Sequence, residues 1–336
     1  MKRKVSLKDI AQKVGVSTAL VSYVLNGQER EKRVGEEVAI KIRAAAKELN
    51  YQPNQIAKSL KSGKTHTIGL IVADIANPFS ANIARIIEDE AKQHKYNVVF
   101  GSSDENADKA WDLIKVLLNR QIDGFIIALT EHAEEQVRYL QEHHIPFVLI
   151  DRYYPDIEVS YVALDNFKAA YDGVEHLIQK GYKRIGMINY NSGLYHLQER
   201  TRAYRQALQD YNINLEADWC IEVNEDRLKE DMDRHMQELL YGEQPVEALF
   251  LASNKIAING LKFINEKKLR VPEDVAIIGF DQTDAYDLFY CPVTHIRQPM
   301  AEIGRKAVQA LLQLIDGNQA RTQLNLEATL VVKSSC

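Results

Sequence analysis

The chain has 336 residues, of which 46% are hydrophobic and 26% charged. That balance excludes a disordered or collagen-like chain and leaves room for two or three cores at roughly 100–200 residues each. The net charge of −5 hides an asymmetry: residues 1–64 hold 14 Lys and Arg against 6 Asp and Glu, and the other 272 residues hold 28 against 41. A basic head on an acidic body suggests that the head alone meets a polyanion, although a solvated basic helix pair has the same composition.

The start, Met1-Lys2-Arg3-Lys4, is basic but leads to Asp9, Gln12 and Lys13 rather than to an apolar signal core, so a cytoplasmic protein is expected. Ser6 and Asp9 form a capping box that opens an apolar series at Leu7, Ile10, Ala11 and Val14. Gly15 is placed to end that helix. Ser17 can cap a second helix, from Thr18 to the turn Asn26-Gly27. Two short helices joined by Gly15-Val16-Ser17 make a helix-turn-helix pattern, common in small bundles. The polar stretch Gln28–Arg33 is too charged for a core. A third helix is expected from about Glu36 to Leu49, with Val38, Ile42, Ala45, Ala46 and Leu49 on its buried stripe. The head is thus residues 1–50.

Residues 51–63 read as a linker. Pro53 opens it, Gly63 closes it, and Ile56, Ala57 and Leu60 share one face of a helix too short to stand without a partner, which implies folding on binding. From His66 the pattern changes to short apolar runs suited to buried parallel strands: 67–73, 97–100, 123–129 and 146–150, then 161–164, 184–188, 248–251 and 275–280, with helical patterns between them. Two βα series of similar size predict an α/β core of two doubly wound subdomains over 64–336. The first would take about 64–162 with 294–324, the second about 163–293 with 325–336. The three cysteines, Cys220, Cys291 and Cys336, lack metal-ligand spacing and fit a reducing compartment; no cofactor is expected.

The run from Ser6 to Gly27, Ser-Leu-Lys-Asp-Ile-Ala-Gln-Lys-Val-Gly-Val-Ser-Thr-Ala-Leu-Val-Ser-Tyr-Val-Leu-Asn-Gly, resembles the DNA-binding signature of the LacI/GalR family of bacterial transcription regulators. So do Ala45–Asn54, the hinge Ile56–Leu60, Ile68-Gly-Leu-Ile with Asn77-Pro-Phe79, Val162–Asn166, Gly181–Gly186, Arg270–Val275 and Ile278-Gly-Phe-Asp281. The resemblance implies a helix-turn-helix headpiece, a hinge helix and a core like the periplasmic sugar-binding proteins. It also implies a homodimer on a near-palindromic double-stranded operator, acting as a repressor whose affinity is set by a small-molecule effector, most simply a carbohydrate.

Residue by residue, the resemblance places Thr18, Ala19, Ser22 and Asn26 at the bases and Ser17 at a phosphate, with Ser6, Tyr23 and Asn54 among the other DNA-binding residues. Ser17 could equally be only a cap. Lys2, Lys4 and Lys61 suit phosphates. Leu60 would wedge into the central base step, with Ala57 and Lys58 beside it in the minor groove; packing on its own headpiece is the other reading. Lys58 stands where arginine is commoner. The effector site, at the carboxyl ends of the strands, would use Asp74, Asn77, Phe79, Asp104, Asp151 and Arg152 from one subdomain. From the other come Tyr190, Arg200, Asn254 and Asp281. For Asp104, Asp151 and Arg152 a purely structural ion pair is an equal reading.

Two departures bear on the ligand. Lys255 stands where the family usually has aspartate, which leaves an acidic ligand or a solvent-facing lysine open. Near Glu225 some relatives place an aromatic ring. Rival readings are a nucleobase ligand, a protein coregulator, and a transport-type binding protein, the last opposed by the basic head. An enzyme is not expected. Ser62-Gly-Lys-Thr65 lacks the leading glycine of a phosphate loop, no Gly-x-Ser-x-Gly elbow or His-Glu-x-x-His occurs, and Asp281, Asp284 and Asp287 suit a helix start better than acid–base work.

Overall fold

The computed structural model describes residues 5–52 and 63–336. The chain divides into two compact units, Met1–Thr65 and His66–Cys336.

The first unit contains α1 (Leu7–Val14), α2 (Thr18–Leu25) and α3 (Glu36–Glu48). Ser6 starts α1: its backbone N–H and hydroxyl both donate to Asp9 Oδ2, at 2.8 and 2.7 Å. Gly15 ends it at φ 77°, the left-handed cap that costs glycine no steric strain. Ile10, Ala11, Val21, Val24, Ala39 and Ile42 form one small core. The stretch 28–33 folds over this core as turns; Glu29 pairs with Arg43, and the Lys32 ammonium lies 5.9 Å from the Tyr23 ring centre.

The second unit begins with β1 (Thr67–Val72), α4 (Pro78–Gln93), β2 (Asn97–Ser102), α5 (Ala107–Asn119), β3 (Gly124–Ile127), α6 (Glu134–Glu142), β4 (Phe147–Ile150) and β5 (Tyr161–Leu164). The chain then crosses to α7 (Asn166–Gln179), β6 (Ile185–Tyr190), α8 (Tyr195–Asp210), β7 (Cys220–Val223), α9 (Leu228–Tyr241), β8 (Ala248–Leu251), α10 (Asn254–Lys267), β9 (Ala276–Phe280), α11 (Asp284–Leu288) and β10 (Thr294–Arg297). It returns for α12 (Met300–Ile315) and β11 (Gln323–Leu326), and crosses once more to β12 (Thr329–Val331).

The strands make two six-stranded sheets, ordered β11-β5-β4-β3-β1-β2 and β12-β10-β9-β8-β6-β7. All pairings are parallel except β10 with β12. Central strands such as Phe125–Ile127 and Ala248–Leu251 are buried, as sheets covered by helices on both faces require. In each sheet the order reverses once, between β1 and β3 and between β6 and β8. A doubly wound sheet opens a crevice at such a reversal, outside the carboxyl ends of its strands.

The subdomain boundaries differ from the sequence expectation: β5 and β11 stay in the first sheet to Leu164 and Leu326, past the expected 162 and 324. The strand at 294–297 pairs with β9 of the second sheet, so the chain returns to the first subdomain after Arg297 rather than at 294. The reason lies in packing: Ile296 is buried in the core of the second subdomain, whereas Ile303, Ala307, Val308 and Leu311 of α12 fill the core of the first. Strands β7, β10, β11 and β12 were outside the expected set. Each is three or four residues long, and β11 alternates exposed with half-buried positions while β12 has no buried one, a weak signal beside the buried runs. Among the described residues no helix is long and apolar enough to cross a membrane.

Candidate functional site

In the first unit the candidate nucleic-acid face is the start of α2. Ser17 caps the helix, its hydroxyl accepting from the Leu20 N–H at 3.2 Å, which satisfies one of the free donors of the first turn. Ser17, Thr18, Ala19 and Asn26 are exposed, and Ser22 and Tyr23 half-buried, because Val21 and Val24 turn the opposite stripe inward. The Asn26 amide donates to the Ser22 carbonyl at 2.8 Å and to its hydroxyl at 3.2 Å, so two of the expected base readers hold one another at the end of the helix. Ser6 sits apart from this row, engaged with Asp9 as the cap of α1. Asn54, Ala57, Lys58 and Leu60 lie outside the described residues, as do Lys2, Lys4 and Lys61.

In the second unit one cavity of about 320 Å³ lies between the two subdomains. Its polar lining follows strand ends: Asp74 and Asn77 after β1, Glu131 after β3, Asp151 and Arg152 after β4, Asn224 and Glu225 after β7, Asn254 and Lys255 after β8, Asp281 after β9 and Gln298 after β10. Local capping sets several of them. Asn77 caps α4 by accepting from the Phe79 N–H at 3.0 Å, with Pro78 in the first turn, and Ser253 caps α10 by accepting from the Ile256 N–H at 3.2 Å.

Polar contacts cross from one subdomain to the other, and the rings of Tyr153 and Tyr195 meet edge-on between them at 5.3 Å. The Asn254 amide donates to Asn77 Oδ1 at 2.8 Å. Lys255 Nζ lies 2.7 Å from Asp74 Oδ2 while holding Glu225 Oε1 at 2.8 Å on its own side. Glu131 accepts from the Ser192 hydroxyl at 2.5 Å and from the Gly193 N–H.

Deeper in, Arg152 forks onto both oxygens of Glu105, at 2.6 and 2.7 Å, and donates to the Leu129 carbonyl at 2.8 Å. Arg200 is 3% exposed, with Nε on Asn166 Oδ1 at 2.9 Å, Nη1 on the Ala252 carbonyl at 2.7 Å, and its guanidinium 3.6 Å from the Phe280 ring centre. Asp281 Oδ1 accepts from the Gln298 amide at 2.7 Å. His196 Nδ1 and Gln298 Oε1 are buried without a hydrogen-bond partner, the condition of polar atoms that a ligand would satisfy.

Electrostatics separate these groups. Burial pushes the Asp151 carboxyl up to about 6, against the pull of Arg152 and Arg200. Burial, then the same two arginines, holds His196 well below the ordinary histidine value, so its ring is neutral near pH 7. Burial resists the charge on Lys255, but its hydrogen bonds to Asp74 and Glu225 outweigh it and raise the ammonium above its ordinary value. For Asp74, burial is likewise outweighed by the Lys255 and Ala76 hydrogen bonds, and its carboxyl is lowered.

The cavity brings together Asp74, Asn77, Phe79, Asp151, Arg152, Tyr190, Arg200, Asn254 and Asp281. Asp104 is a correction. It turns from the cavity to the Ser102 hydroxyl, 2.6 Å away, and to Lys109, while the next residue, Glu105, lines the site. Residues 104 and 105 both have left-handed backbone, and that bend decides which acid points inward. Glu131, His196 and Gln298 were absent from the expected set. A strand-end rule applied to β3 and β10 reaches Glu131 and Gln298; His196, on the face of α8 that also carries Arg200, has no such signal.

Residues 6–54 match the model for bacterial regulatory proteins of the lacI family, and residues 174–336 match the periplasmic binding protein-like domain. The ribose operon repressor of Haemophilus influenzae is 30% identical over 331 residues, covering 98% of each chain. The transcriptional repressor CytR of Escherichia coli is 32% identical over 331 residues, covering 98% of this chain and 96% of that one. The crystal structure of the lac repressor dimer bound to operator and an anti-inducer has a TM-score of 0.87, with 99% of both chains covered at 24% identity.

Proposed function

Because this chain belongs to the lacI family of bacterial regulatory proteins, we propose that its core takes a small, neutral, hydroxyl-rich effector, a sugar or sugar derivative, and passes its occupancy to a DNA-bound dimer. The observation that carries the ligand class is the charge of the cavity. Seven carboxylates (Asp74, Glu105, Glu131, Asp151, Glu225, Asp226 and Asp281) face three cations, and those three, Arg152, Arg200 and Lys255, are already engaged by protein oxygens. Such a lining repels an acidic ligand and offers acceptors to hydroxyl groups. A volume of about 320 Å³ lies near the lower end of the ~300–1,000 Å³ common for ligand sites, which suits a monosaccharide better than a chain of sugars. Phe79 supplies a ring for an apolar sugar face.

The DNA side rests on the exposed start of α2. Thr18, Ala19, Ser22 and Asn26 would read bases and the capped N-terminus of α2 would hold a phosphate, with the hinge residues Ala57, Lys58 and Leu60 in the minor groove. A chromosomal target places the protein in the cytoplasm. The names of the relatives are in keeping with both halves: one is a repressor of a ribose operon, and the lac repressor was crystallised as a dimer on operator. Ligand and operator affinities are then coupled reciprocally, by about 1–3 kcal/mol, or roughly 5–150-fold, in systems of this kind.

The test is the melting temperature of the protein against neutral sugars, sugar acids, sugar phosphates and nucleosides. A ligand at ~100 times its Kd adds about 2.7 kcal/mol, enough to see. A rise with neutral sugars is expected; a rise confined to acidic ligands overturns the ligand class. Deleting residues 1–63 should abolish operator binding and leave that ligand shift intact.

A further inference from the structure

We propose that Lys255 is a tether that closes the cleft with the chain's own charges, whatever ligand the cavity takes. Its ammonium is gripped from both sides, by Glu225 of its own subdomain at 2.8 Å and by Asp74 of the other at 2.7 Å. Asp74 is itself pinned at the end of β1, its other oxygen accepting from the Ala76 N–H at 2.8 Å. The bridge therefore joins two fixed points rather than two loose side chains. The side chains of Lys255 and Asp74 are 31% and 22% exposed, so solvent screens them less than an ordinary surface pair.

A second observation argues that this lysine serves the bridge and not its helix. Lys255 stands in the first turn of α10, directly after the Ser253 cap and Asn254. Cations belong at helix C-termini; at an N-terminus the macrodipole works against them. The unfavourable placement is offset only by the two carboxylates it reaches. Without the ammonium those two carboxylates would lose the one cation that contacts both of them, so its loss removes an attraction between the subdomains.

This has a regulatory consequence. A contact made only in the closed form shifts the open–closed balance before any effector binds, and lowers the share of effector binding energy spent on closure. Closure, and with it operator affinity in the absence of effector, then depends on salt.

The test uses the full chain with no ligand added and two double-mutant cycles read by melting temperature. One pairs K255M with D74N across the cleft; the other pairs K255M with E225Q inside one subdomain. The tether predicts that the Asp74–Lys255 cycle is non-additive by about 2 °C and that high salt shrinks this term. Amide hydrogen exchange gives a readout that a purely local role would not move. K255M should speed exchange at the cleft-facing starts of both α4 and α8, although Lys255 lies on neither. Additivity of Asp74 with Lys255 overturns the proposal, as does non-additivity confined to Glu225, which would make the lysine an internal pair of its own subdomain. Unchanged exchange at α4 overturns it too.

Discussion

The two halves of the core share a strand order but not a chemistry. Asp151 and Asp281 occupy equivalent places, each directly after the fourth strand of its half, each in left-handed backbone at φ 65°, each nearly buried. Aspartate tolerates that conformation better than most side chains, and the bend turns the carboxylate into the crevice. Their partners differ. Asp151 has Arg152 Nε at 3.7 Å, but that arginine is already forked onto Glu105. Asp281 holds the buried Gln298 amide directly. The first half brings Asp74, Glu105, Glu131 and Asp151 to the cavity against Arg152 alone, whereas the second sets Arg200 and Lys255 beside Glu225, Asp226 and Asp281. One architecture therefore fixes where functional side chains stand, while the residues beside them fix what they do.

The comparison breaks most severely at Arg200, which lies between the two halves' acids and is itself buried. Arg200→Ala leaves Asn166 Oδ1 and the Ala252 carbonyl without their donor and removes the nearby cation from Asp151 and Asp281. The expected loss is about 3–5 kcal/mol, a fall in core melting temperature of the order of 10 °C. A fall of only a degree or two would mean that the guanidinium is not a structural hub.

Asp281→Ala strands the Gln298 amide in a buried place and should cost about 2 kcal/mol in a denaturation experiment. Asp151→Ala should cost less, because Arg152 keeps Glu105. Equal losses would erase the distinction between the two aspartates.

A pH series sharpens it further. With its carboxyl raised to about 6 in the fold and 3.8 as the ordinary value, Asp151 binds its proton more tightly when folded. Its contribution to stability thus increases as pH falls from 7 to 5. Wild type should gain about 1 kcal/mol over Asp151→Asn across that interval. A difference that stays flat, or one that shrinks, contradicts the assignment. The smallest effect belongs to Asp104→Ala: outside the cavity and exposed, it should leave the melting temperature and the ligand-induced shift unaltered.

The first unit was legible almost residue by residue. Its caps at Ser6, Gly15 and Ser17 and its buried stripe act over three or four positions, so contiguous sequence carries them. The core strands were legible as apolar runs because parallel strands covered on both faces must be apolar throughout. Most of the expected cavity residues follow from one rule, that ligands sit beyond the carboxyl ends of strands, together with the family resemblance.

What the sequence by itself determined is the class of the molecule: a basic helix-turn-helix unit and a doubly wound core, written in local periodicity and capping. Only the tertiary structure decided that residue 105 rather than 104 faces the cavity, that β10 belongs to the second sheet, and that Lys255 reaches Asp74 across 181 positions. Such pairings depend on backbone bends and on where two sheets come to rest. No spacing along the chain encodes them, because electrostatic contact falls off with distance in space and is indifferent to distance in sequence.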